Sequence, residues 1–198
     1  MRNELERHLA LFGGTAPHAE LGNAADATSS TSGTSRDRVL LSVVNIQEER
    51  TLKNVPNYVR DDTALRVRYV NPPAFLNLAV LVAATHTKYT DGLRALSRSL
   101  MFFQYRNVFT QENVDPLSIS DGAPINDLDR LVEFKLILNL WSPTLEEVND
   151  MWGMLGGKQF PFALYSMRML ELRFDATERE SGLITEVISH FAHQPAVG

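Results

Sequence analysis

Apolar positions follow three different rhythms along this chain, and each predicts a different element. From Ala74 to Ala84 every residue except Asn77 is apolar. That run is shorter than the about 20 residues a membrane span needs. It suits a strand buried on both faces, where continuous hydrophobicity replaces in/out alternation. After a connection at Thr85–Tyr89, the residues Leu93, Leu96, Leu100 and Phe103 recur at the spacing of one helix face, with Thr90 or Asp91 as the expected N-cap. A buried strand, a turn and a helix folding back on the sheet form the scaffold around which the rest is arranged.

On either side of this scaffold the pattern breaks into shorter pieces. Leu5, Leu9 and Phe12 mark a short N-terminal helix that ends at Gly13-Gly14. Between Gly13 and Asp37 the chain is small and polar, and Thr28–Ser35 is Ser/Thr apart from Gly33, so a mobile Ser/Thr-rich loop is expected over about 20–37. Arg38–Ile46 is a β-branched run typical of a strand, continued through Asn45–Asn54 with charged side chains outward. Pro56 and Asn57 break it, and Leu65–Val70 alternates as a second short strand. Pro72-Pro73 keeps the entry to the scaffold strand extended.

After the scaffold helix, 107–129 reads as a long acidic connection with a brief strand at Val108-Phe109. Leu131–Trp141 alternates, with Val132, Phe134, Leu136, Leu138 and Leu140 on one face. Ser142 as N-cap and Pro143 at the first helical position then start a helix. Its expected buried face is Leu145, Val148, Trp152 and Leu155, and Gly156-Gly157 stops it. Leu164–Phe174 is another strand, placed at a sheet edge or an interface because Ser166 and Arg168 interrupt its apolar face. Leu183–His193 fits a helix or a strand equally. The fold class is α+β: a single domain over 1–198 whose mixed or antiparallel sheet is packed by two or three helices, with a C-terminal extension over about 175–198.

Composition narrows the functions. Hydrophobic residues make up 44% and charged residues 22%, the balance of a soluble globular domain. A formal charge of −5 gives no general pull toward nucleic acid or anionic lipid. There is no cysteine, so disulfides and thiolate metal sites are excluded. Met1–His8 lacks the apolar core of a signal peptide, and with no spanning segment folding in the cytosol is expected.

Catalytic signatures are not found. His190 and His193 are three apart, as a metal pair on a helix would be, but no third ligand is spaced for them, and no metal site or cofactor is expected. Gly156-Gly157-Lys158 fails as a phosphate loop because Trp152 and Gln159 stand where that loop needs Gly and Ser or Thr. Arg94 and Arg98 lie one helical turn apart, with Lys88 before and Arg106 after, and read as a solvated face or as a phosphate-binding one; a nucleotide- or phosphate-binding enzyme would use His86 and Arg94. Glu48, Glu49, Arg50 and Lys53 carry both signs within a short span. They read either as an edge kept soluble by charge or as a docking edge for another subunit.

Several separate stretches resemble one family. Asn45–Asn54, Pro72–Leu78, Tyr89–Ser97 and Phe102–Gln104 are similar to its motifs, as are Asn139–Ser142, Gly156-Gly157 and Pro161. The family is that of the tail-terminator, or cap, proteins of phage-tail-like contractile injection systems, which includes the anti-feeding prophage. The likeness covers roughly residues 3–174. It implies a tail-terminator-like fold and a structural role without catalysis. The implied assembly is a homohexameric ring that closes the inner tube and binds the last sheath layer at the baseplate-distal end. Its implied partners are itself, sheath protein and inner tube protein, with no nucleic acid and no membrane. It would be assembled in the bacterial cytoplasm and become part of a particle that can be released. A baseplate or tail-completion adaptor of the same machine is the alternative. The expected subunit-docking edge is Asn45, Gln47, Glu48, Glu49, Arg50, Lys53 and Asn54.

Overall fold

The computed structural model describes residues 1–12, 18–28, 36–49, 51, 58–61, 63, 66–70, 73–120, 134–172 and 177–182. The backbone divides into two compact units, one of 1–52 with 74–172 and one of 53–73 with 173–198.

The larger unit is a six-stranded mixed sheet. In chain order it contains α1 (Arg2–Ala10), β1 (His18–Leu21), a 3₁₀ turn (Asp26–Thr28), β2 (Arg38–Glu48), and then, after the smaller unit's β3 (Tyr58–Asp61) and β4 (Arg66–Val70), β5 (Ala74–Ala84). It continues with α2 (Tyr89–Tyr105), β6 (Val108–Thr110), α3 (Pro116–Ser120), β7 (Lys135–Trp141), α4 (Leu145–Met154) and β8 (Phe162–Leu172). The strand order is β1-β2-β5-β8-β7-β6, with β1 parallel to β2 and every other pair antiparallel. In the smaller unit β4 pairs antiparallel with β3 on one side and with β9 (Thr177–Gly182) on the other.

The expected buried strand is β5. It lies between β2 and β8, and Leu81–Ala84 are at most 1% exposed. Its even-numbered residues Leu78, Val80, Val82 and Ala84 face a core built with Leu5 and Leu9 of α1 and Ala95, Leu96, Phe102 and Phe103 of α2. Leu81 and Ala83, on the other face, pack with Leu40, Leu164 and the α4 residues Met151 and Trp152. One extra β2 residue interrupts the β2–β5 register between Val43 and Asn45, a β-bulge, so that Val43 pairs with Val80 and Asn45 with Ala79.

Several details differ from the sequence reading, each for a local reason. β1 (His18–Leu21) runs two residues into the stretch expected as a loop over about 20–37 and pairs in parallel with Arg38–Leu41; residues 29–35 lie outside the described residues. Lys88 caps α2 without a side-chain bond, while Asp91 pairs with Arg94 at 3.1 Å. Leu93 is 44% exposed, because the buried stripe of α2 runs through Gly92, Ala95, Leu96, Ser99, Phe102 and Phe103. The α4 N-cap is Thr144 in place of Ser142. Its Oγ1 accepts from Glu147 N at 3.3 Å while Glu147 Oε2 accepts from Thr144 N at 2.7 Å, a capping box that the Ser142-Pro143 pair does not offer. This shift turns Leu145 outward, 89% exposed.

The end of α4 is as expected. Gly156 and Gly157 take positive φ of 98° and 76° and close a Schellman turn, with Gly157 N donating to Trp152 O at 2.7 Å. β8 is an interior strand, not an edge: it is flanked by β5 and β7. Val132 and the segment Leu183–His193 lie outside the described residues.

A buried carboxylate ties the N-terminal helix to the rest of this unit. Glu4 is 5% exposed, and it accepts from Arg106 Nη1 at 2.7 Å, Asp115 N at 2.9 Å and Ser118 Oγ at 2.7 Å. Burial alone would raise its pKa, but the hydrogen bonds from Asp115 and Ser118 and the charges of Arg106 and Arg7 outweigh it and hold the carboxyl below its ordinary value.

Candidate functional site

The face of the sheet that carries α4 is only half covered. Beyond Leu81 and Leu164 the side chains turn polar. Asn45, Ala79, Ser166 and Asn139 form one row across four strands. With Gln47, Asn77, Arg168 and the β7 end at Trp141–Ser142 they line an open depression of about 810 Å³. Amides and hydroxyls at alternate strand positions are what a sheet presents to a polar partner, since each can donate or accept a hydrogen bond.

The depression meets the β2 end at Glu49. Glu49 N donates to Phe75 O at 2.8 Å, extending the β2–β5 ladder by one bond. Its carboxylate accepts from Thr51 Oγ1, from Asn77 Nδ2 at 2.8 Å and from Thr51 N at 3.2 Å. These bonds, the Thr51 hydroxyl first, then Asn77 and the Thr51 amide, aided by the charge of Arg168, hold its pKa down at about 2. Glu49 is therefore a fixed anion. Asn77 Oδ1 is buried without a hydrogen-bond partner.

Of the expected docking edge, Asn45, Gln47, Glu48 and Glu49 fall on β2 and its end, with Asn45 and Gln47 lining the depression. Arg50, Lys53 and Asn54 lie outside the described residues. The expected basic face is engaged within the domain: Arg98 stacks over the Phe12 ring at 4.5 Å, and Arg106 pairs with Glu4. His86 lines a separate depression of about 570 Å³ with Tyr89, Leu93 and Phe160, and Arg94 is not among its lining residues. Burial lowers the His86 pKa, with Asp37 and Asp91 acting in the opposite direction. Among the described residues no group of three or more His, Asp or Glu is placed to hold a metal ion, and His190 and His193 are not among them. No helix of the described residues is long and apolar enough to cross a membrane.

The sequence profile of the Pvc16 N-terminal domain family matches residues 1–186. The chain belongs to this family. In three dimensions the family member described here is similar to the sheath/tube terminator, in its extended state, of the PVC extracellular contractile injection system. The TM-score is 0.59 at 13% identity, covering 99% of this chain and 63% of that one. It is also similar to the tube-terminating cap of the anti-feeding prophage, with a TM-score of 0.58 at 10% identity, covering 96% of this chain and 59% of that one. At such identities the likeness is one of fold, and it confirms the tail-terminator-like architecture. The chain spans about three-fifths of those chains' length, 63% and 59%. No curated protein matches the sequence.

Sequence reasoning named Asn45 and Gln47 but missed the role of Asn77, Asn139, Ser166 and Arg168. The signal was present as single polar interruptions in otherwise apolar strands. Only the strand register shows that these interruptions meet on one face.

Proposed function

We propose that this chain is the terminating cap of a contractile injection particle, closing the inner tube and binding the last sheath layer. The observation that carries the reading is the Pvc16-family match over 1–186 joined to a fold shared with two terminators of such particles. A homohexameric ring fits the role, because a heterologous contact closes on itself when its rotation returns after a whole number of copies. The amide-lined half of the sheet and the Asn45–Asn54 edge supply polar and charged groups for sheath and tube protein. The function needs shape and matching borders and no chemical step, so the chain acts as a structural protein. Assembly in the bacterial cytoplasm precedes its place in the finished particle.

Electron microscopy of particles carrying labelled protein tests the reading. Label at one end only, opposite the baseplate, is the expected result, and deletion of the protein should yield sheaths and tubes of irregular length. Label along the shaft or at the baseplate would overturn the cap assignment, the latter in favour of an adaptor.

A further inference from the structure

Among the described residues, both edges of the six-stranded sheet are covered over only part of their length. β1 pairs with β2 over Arg38–Leu41, and β6 with β7 over Lys135–Ile137. Among the described residues no strand pairs with the outer side of β2 from Val43 to Glu48, or of β7 from Asn139 to Trp141. The two uncovered stretches lie at the same level, since Val43, Val80, Tyr165 and Leu140 form a single row across the sheet. Three antiparallel pairings separate β2 from β7, so the two edge stretches run in opposite directions.

Their backbone groups face outward. Leu41 O accepts from Gly22 N on the outer side, so two residues on, the Val43 backbone groups face outward. Past the bulge, Glu49 N donates inward to Phe75 O, which turns the Ile46 backbone outward. On β7, Leu138 N donates outward to Asn107 O, and Leu140 repeats that orientation. The side chains match as well. Val43, Ile46 and Leu140 are 52%, 60% and 59% exposed on the helix-packed face, and Asn45 and Asn139 lie on the other. Neither Val43–Ile46 nor Leu138–Trp141 holds a charged residue, although charge is the usual protection of an exposed edge.

We infer that β2 of one copy pairs antiparallel with β7 of the next, joining successive sheets edge to edge through Val43, Ile46 and Leu140. The occupant is a second copy because each edge complements the other in direction, backbone exposure and side-chain type. Residues whose amide and carbonyl both face the partner sit opposite each other in an antiparallel pair, which sets Leu140 against Val43. Two different edges in contact make a head-to-tail interface, the kind that generates rings. This inference rests on the ring proposed above and specifies its contact.

The cysteine-free sequence makes the test direct. In a Val43→Cys, Leu140→Cys variant the two positions of one copy are about 14 Å apart, at ~4.8 Å per strand spacing. A disulfide spans Cα atoms roughly 4.4–6.8 Å apart, so any bridge joins two copies. Light scattering of the full chain, alone and with sheath and tube protein, first gives the assembled mass. Mild oxidation and non-reducing denaturing electrophoresis follow. The double variant should give a ladder of covalent oligomers, and an equal mixture of the two single variants should stop at a dimer. A ladder from Ile46→Cys with Leu140→Cys supports the same contact in a neighbouring register. Ile46→Lys should reduce the assembled mass to that of a monomer and leave the unfolding midpoint in place. A ring-sized mass without a ladder from either pair overturns the edge contact and leaves the cap reading standing. A dimer from Val43→Cys alone, with no ladder from either pair, overturns it in favour of a two-fold contact. A protein that stays monomeric with its partners present, and gives no ladder, overturns both.

Discussion

The two faces of the large sheet are made by the same strands, yet α1 and α2 close the centre of one, while among the described residues the other is half bare. On the α1–α2 side, Leu78, Val80, Val82 and Tyr165 lie under a continuous aromatic and aliphatic layer, with Phe103 4.9 Å from Tyr165 and 5.2 Å from Phe102. Ser99, the buried polar side chain of α2, satisfies itself by donating to Ala95 O at 2.9 Å. On the α4 side the apolar patch ends after Leu81 and Leu164, and the next positions along the strands are Ala79 and Ser166, flanked by Asn45 and Asn139. One face therefore holds the domain together, and the other presents hydrogen-bonding groups outward. Stability and recognition are separated across the thickness of a single sheet.

That separation can be tested from its strongest side to its weakest. Phe103→Ala should destabilise the domain by about 3–5 kcal/mol in chemical denaturation, because a ring 2% exposed leaves a cavity in the closed face. Trp152→Ala, on the smaller patch, should cost less, about 3 kcal/mol, since its Nε1 is already buried without a hydrogen-bond partner. Equal losses for the two would show that both faces contribute alike.

Glu4→Gln should cost about 2 kcal/mol by leaving Arg106 without its carboxylate. It should also change the acid limb. Because the folded carboxyl sits below its ordinary value, its contribution is complete above the unfolded pKa of about 4.3 and is lost as pH falls through the folded one. The variant's stability should fall less steeply with acid over that window; unchanged steepness would remove Glu4 from the account. Last, Arg168→Ala and Asn139→Ala should each leave the unfolding free energy within about 0.5 kcal/mol. Both should still weaken binding to sheath or tube protein in a pull-down of purified components. Loss of folding in either would mean that the bare half is structural after all.

Elements with a strong rhythm are legible in the sequence itself. Ala74–Ala84 was read with its boundaries intact, because a strand covered on both faces needs no partner to reveal its pattern. Gly156-Gly157 was equally plain, since few other residues accept the positive φ that ends α4. Features that depend on distant partners were not legible. His18–Leu21 has no strand-like run of its own and is held by Arg38–Leu41. Ser166 and Arg168 suggested an edge because polar residues in a strand usually mean solvent; here they mean an interior strand with an uncovered face. The Leu145 error followed from choosing Ser142 over Thr144 as N-cap: Leu145 is the first residue of α4 and stays exposed, while Val148, Trp152 and Leu155 keep the expected face. Within the candidate site Asn45 and Gln47 were visible as polar alternation, whereas Asn77, Asn139 and Arg168 join them only through register.

The bulge at Val44 has a genetic corollary. By inserting one residue, it places Val43 and Ile46 on the same side and sends Asn45 and Gln47 to the opposite one. Deleting Val44 would remove the bulge and restore strict two-residue periodicity with the faces unchanged, Ile46 still opposite Leu78 and Asn45 and Gln47 still in the amide row. Loss of that one codon should therefore be better tolerated than a one-residue loss within β5, where no bulge absorbs the shift.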